Sequence, residues 1–79
     1  MKQLIEYVAR ALVDHPEQMR IEELDRGPEV TIRLSLAADD MGRLIGKQGR
    51  VANALRLLLK VAAAKEGKHA ALEIEEYTA

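Results

Sequence analysis

The chain contains no cysteine, no phenylalanine and no tryptophan. Without thiols there is no disulfide framework and no thiolate metal site, nothing suggests redox chemistry, and the absence fits a reducing compartment. Tyr7 and Tyr77 are the only aromatic rings, which disfavours an RRM-type or OB-type surface that stacks bases on aromatic side chains. Long hydrophobic runs are missing as well. Charges interrupt every apolar stretch, no run approaches the length of a bilayer span, and the N-terminus lacks the basic-then-apolar plan of a signal peptide. A cytoplasmic location with no membrane partner is therefore expected. His15 and His69 have no cysteine or second histidine at ligand spacing, and no Ser, His and Asp set is apparent. The expectation is no metal, no cofactor and no enzymatic activity.

What is present reads as one small folded module, a single domain over residues 1–79, with 48% hydrophobic and 32% charged residues. The net charge of -1 conceals an asymmetry. From Arg43 to Lys68 there are seven basic residues against one acid, Glu66, so this segment carries +6 and the remainder -7. A basic region on an acidic body is what a module that grips a polyanion locally would show, and a solvated basic helix face would show it too.

Apolar residues Leu4, Ile5, Val8, Ala9, Leu12 and Val13 recur at three- and four-residue spacing and predict a first helix, stopped by Pro16. A strand follows at Met19 and Ile21, with alternation lost at Glu22-Glu23-Leu24, where a bulge or an early exit is expected. The run "PEVTIRLSLA" alternates, with Val30, Ile32, Leu34 and Leu36 on one face, and Asp25-Arg26-Gly27-Pro28 supplies the turn of a hairpin. Asp39 is the expected N-cap of a short helix from Asp40 to about Ile45. A long helix follows, "RVANALRLLLKVAAAKE", with Gly67 as its C-cap, and then a third strand, "HAALEIEEY". A two-helix crossover lets strands 2 and 3 lie parallel, and the hairpin makes strands 1 and 2 antiparallel. The predicted fold is α+β, a three-stranded mixed sheet with helices packed on one face, in the order helix-strand-strand-helix-helix-strand.

Between the two later helices stands "LIGKQGRV", residues 44–51. A Walker loop fails on glycine spacing and on Gln48 at the hydroxyl position, and the dinucleotide fingerprint fails because two glycines follow a helix instead of three following a strand. A Gly-x-x-Gly turn between helices remains. Glycines tolerate positive φ and leave no Cβ to hold a ligand backbone away. The amides opening the next helix favour phosphate oxygens, with Lys47 and Arg50 adding charge. Gly46 as a helix C-cap and Gly49 as a turn residue would explain the same pattern with no ligand.

The segment "MGRLIGKQGRVANALRLLLK", preceded by an alternating strand, resembles the KH domain, whose Ile-Gly-x-x-Gly loop clamps about four single-stranded nucleotides. The element order is that of the type II, bacterial arrangement, and the whole chain resembles the KhpA (YlqC-type) family of small bacterial KH proteins. The resemblance implies single-stranded RNA binding, with Gly46, Lys47, Gln48 and Gly49 as the phosphate clamp. It places Ile45 and Leu44 at the apolar edge of the base groove, Arg43 and Arg50 flanking the clamp, and Arg33 on the opposite wall. It further implies an RNA chaperone or post-transcriptional regulator, acting as a homodimer or with a larger KH-containing protein of the Jag (KhpB) type, and linked to cell-wall homeostasis and cell shape. Single-stranded DNA shares the phosphates the loop would grip.

At about 100° per residue, Asn53, Arg56 and Lys60 form one stripe on the last helix, and apolar residues cover the remaining arc of roughly 260°. The core face is expected to centre on Val51, Leu55, Leu58 and Ala62. That leaves Ala52, Leu59 and Ala63 on one flank and Leu57 and Ala64 on the other, for helix 1 or a partner subunit to cover. With the family resemblance, Ala52, Leu59 and Ala63, with Arg56 beside them, become the candidate dimer interface. A protein-protein adaptor using this helix is the rival to RNA binding.

Overall fold

The structure, a computed structural model, describes residues 1–78 apart from the side chains at 46–48. Helix α1 spans Lys2–Leu12, strand β1 Arg20–Arg26, strand β2 Glu29–Leu36, helix α2 Ala38–Lys65 and strand β3 His69–Glu76, with a short 3-10 turn at Pro16–Gln18. The sheet order is β1-β2-β3, antiparallel between β1 and β2 and parallel between β2 and β3. This is the mixed sheet with a helical crossover that the sequence predicts. Among the described residues, no helix is long and apolar enough to cross a membrane.

β2 holds the centre because its alternation is the cleanest. Val30, Ile32, Leu34 and Leu36 are each 1% exposed or less and face the helices. β1 pairs with it without interruption from Arg20↔Ser35 to Arg26↔Glu29, so the bulge expected at Glu22-Glu23-Leu24 is not formed. β1 is an edge strand whose helix side is only partly covered, so acids there keep their solvent and do not break the ladder. The hairpin turns on Gly27 (φ +72°) followed by Pro28. Positive φ and then the proline-fixed negative φ is the sign pattern of a type II′ turn, whose twist matches that of the strands.

α1 buries Ile5 and Ala9 and ends at Leu12, where Val13 turns to extended backbone. α2 closes with a Schellman motif one residue beyond its cap at Glu66. Gly67 lies at φ +69°, its N–H donates to the Ala64 carbonyl at 3.1 Å, and the Lys68 N–H donates to the Ala63 carbonyl at 2.9 Å.

α2 differs from expectation in three respects. It is assigned as one helix, where the sequence predicts a short helix and a long one; Gly49, at φ +67°, lies within it. A left-handed residue cannot continue a right-handed helix, so α2 consists of two arms that meet at Gly49, and the helix-helix order survives in that form. Its N-cap is Ala37 with no side-chain cap hydrogen bond, so Asp39 does not cap it. Asp39 and Asp40 fall in the first turn instead, where they still oppose the dipole. Finally, the core face of the second arm is turned from the expected one. Ala52, Leu55, Leu59 and Ala63 are 1–3% exposed, Leu58 is 42% exposed, and Val51 and Ala62 are half-buried. Ala52, Leu59 and Ala63, named above as a dimer interface, are thus buried within the single chain and offer no surface to a partner. An apolar arc that wide does not define its own phase; contact with β3 and with the core around Leu36 and Leu44 does.

Candidate nucleic-acid interface

The predicted site residues divide into three groups. Gly46, Lys47 and Gln48 lie outside the described residues. Arg43, Ile45, Gly49 and Arg50 sit together around the junction of the two arms of α2. Arg43 has 58% of its side chain exposed, Ile45 is 45% exposed, and Arg50 is exposed. Leu44 and Arg33 lie elsewhere. Leu44 is 1% exposed and belongs to the core, so it cannot line a groove; on a helix its neighbour Ile45 points about 100° away and takes the exposed position alone.

Arg33 is on the open face of the sheet, because β2 turns Ile32 and Leu34 toward the helices and Thr31, Arg33 and Ser35 away from them. There its Nε donates to Glu73 across the parallel pair at 3.2 Å. That hydrogen bond and the Glu73 charge raise the guanidinium pKa above its ordinary value. Arg33 is therefore engaged on the face opposite to the helical layer that carries Arg43 and Gly49.

Gly49 is the position where the backbone itself requires glycine. Its φ of +67° is left-handed, and a Cβ built there would meet nothing among the described residues within 4 Å. The requirement comes from backbone conformation and not from crowding inside the fold. Among the described residues nothing fills the space outside Gly49, which leaves room for a ligand backbone.

The charge around this junction is smaller than the sequence count suggests. Of the basic residues from Arg43 to Lys68, Arg43 pairs with Asp14, and Lys68 with Asp25 at 3.0 Å, a hydrogen bond that raises the lysine pKa. Among the described residues no carboxylate pairs with Arg50, Arg56, Lys60 or Lys65, and Arg56 donates to the Asn53 side-chain oxygen at 3.2 Å. The second arm therefore presents an unneutralised basic surface leading away from Gly49. A cavity of about 570 Å³ lined by Lys60, Gly67, Lys68 and His69 lies at the far end of this arm. Lys60 is about 16 Å from Gly49 at 1.5 Å per residue. An exposed turn that grips phosphates needs no enclosed cavity, so the open junction, and not this cavity, is the candidate site.

Two residues that the sequence did not single out as a site complete the surroundings. Asp40, 1% exposed, accepts hydrogen bonds from the backbone N–H groups of Asp14 (2.9 Å) and His15 (3.0 Å), and Asp14 pairs with Arg43. These contacts join residues 25 or more positions apart, and no local periodicity signals them.

A parallel β2-β3 pair crossed by a helical segment that turns on a left-handed glycine of an Ile-Gly-x-x-Gly sequence defines the class as a KH domain. The comparisons with known proteins agree. The family model described as KhpA/KhpB, KH domain matches residues 2–74, and the chain belongs to that family. It is 50% identical to the RNA-binding protein KhpA of Halalkalibacterium halodurans, over 94% of this chain and 97% of that one. Identity to the RNA-binding protein KhpA of Clostridium acetobutylicum is 45%, over 94% and 99% of the two chains. For the protein of that name in Chlamydia pneumoniae it is 40%, over 96% and 97%. No solved structure matches the chain.

Proposed function

We propose that this protein binds single-stranded RNA, gripping phosphates at residues 46–49 with Arg43, Ile45 and Arg50 around them. The observation that carries the reading is Gly49, a left-handed residue with open space outside it at the head of an unneutralised basic arm. Amides opening that arm lie at the positive end of its dipole, where phosphate oxygens are favoured. Relatives that match nearly the full chain are named RNA-binding proteins, which supports the same assignment.

The test is fluorescence anisotropy with a labelled single-stranded RNA oligomer. The Lys47→Asp/Gln48→Asp variant places two carboxylates where phosphates would lie. It should lose binding while keeping the wild-type melting temperature; undiminished affinity in a folded variant would reject the assignment. Matched DNA oligomers in competition decide between RNA and single-stranded DNA.

The finer reading is an RNA chaperone or post-transcriptional regulator in the cytoplasm, working as a dimer or with a larger Jag-type KH protein. Its structural support is the outer face of the second arm of α2, where Leu57 (64% exposed), Val61 (52%) and Leu58 (42%) form an apolar surface. No acidic residue lies between Arg50 and Lys65. A partner with acidic residues beside an apolar stripe complements this face better than a second copy does. The same face is what an adaptor role would use. A link to cell-wall homeostasis and cell shape rests on the family resemblance alone.

A further inference from the structure

Asp40 is a buried carboxylate with both oxygens occupied by backbone donors from the exit of α1, Asp14 N–H and His15 N–H. Charge-assisted bonds of this kind fasten the end of α1 to the first turn of α2. The Asp14 side chain remains outside, 55% exposed, and pairs with Nη2 of Arg43, three residues beyond Asp40 and three before Gly46. The buried strap thus sets a carboxylate beside one of the two arginines that flank the glycine motif.

We propose that Asp14 is a built-in competitor for Arg43, an intramolecular counter-anion that holds RNA affinity below what the basic segment would otherwise give. The proposal rests on the RNA reading above and adds a regulating residue to it. Cationic side chains strengthen RNA binding by releasing condensed counterions, and a paired Arg43 brings no net charge to that exchange. A phosphate approaching Arg43 also approaches the Asp14 carboxylate and is repelled. Exposed ion pairs are weak, so a phosphate can displace Asp14 at a cost, and the pair acts as a brake and not as a block.

Asp14→Asn is suited to the test because Asp14 contributes to the strap through its backbone N–H, which the substitution keeps. Wild type, Asp14→Asn, Arg43→Gln and the double variant are titrated against one labelled single-stranded RNA oligomer over a series of salt concentrations. Asp14→Asn should bind about three- to tenfold tighter at low salt, with the slope of log affinity against log salt steeper by about 0.7, the value for one further charge on a single strand. Arg43→Gln leaves the Asp14 carboxylate uncompensated and should weaken binding several-fold, whereas the double variant, again without net charge at this pair, should bind like wild type. Asp14→Glu, which keeps the charge, should bind like wild type. Equal or weaker binding by Asp14→Asn overturns the brake, as does a double variant that binds as tightly as Asp14→Asn alone. If neither wild type nor Asp14→Asn binds RNA at any salt concentration, the RNA reading falls and this proposal with it.

Discussion

Two sets of apolar residues on the second arm of α2 have similar side chains and opposite fates. Ala52, Leu55, Leu59 and Ala63 are 1–3% exposed, while Leu57, Leu58 and Val61 on the far side are 42–64% exposed. Apolar character alone does not separate them. The distinction comes from which face the sheet contacts, and a helix apolar over most of its circumference accepts more than one answer. Such a helix serves the core with one face and leaves apolar side chains exposed on the other.

Placing a charge on each face tests this most strongly. Leu59→Asp buries a carboxylate in the core and removes a leucine that is 1% exposed. The cost is on the order of 5 kcal/mol, comparable with the entire stability of a small domain, and the protein should be unfolded by circular dichroism. Leu57→Asp should leave the melting temperature within a few degrees of wild type and weaken any association seen by size-exclusion chromatography with light scattering. A folded Leu59→Asp variant would reverse the assignment of the two faces.

The adjacent acids Asp39 and Asp40 repeat the contrast at smaller scale. Asp40 is 1% exposed and holds two backbone N–H groups, whereas the Asp39 side chain is 91% exposed. Asp40→Ala leaves those donors without acceptors and should cost about 3 kcal/mol in urea unfolding. Asp39→Ala loses an exposed charge at the helix start and a 3.9 Å contact with His15 Nε2, and should cost less than about 1 kcal/mol. Equal costs would mean that the strap contributes nothing.

The parts of the fold with a local period were legible in the sequence. β2 alternates through Val30, Ile32, Leu34 and Leu36, and the structure buries those four; the hairpin at Gly27-Pro28 and the closing Gly67 follow from glycine chemistry at single positions. The phase of the second arm was not legible, because Val51, Leu58 and Ala62 satisfy helical spacing as well as Ala52, Leu59 and Ala63 do. At the candidate site, Gly49 is left-handed and Ile45 is exposed, whereas Leu44 is in the core and Arg33 faces the other side of the sheet. Asp14 and Asp40 reach their partners across the fold, and only the packing of α1 against the start of α2 brings them together.

Backbone amide chemical shifts during titration with a short single-stranded RNA test the central claim most directly. The largest changes should fall at Arg43, Ile45, Gly49 and Arg50, with the open sheet face around Arg33 and Glu73 unmoved. Changes centred on that sheet face, with Gly49 silent, would contradict the account.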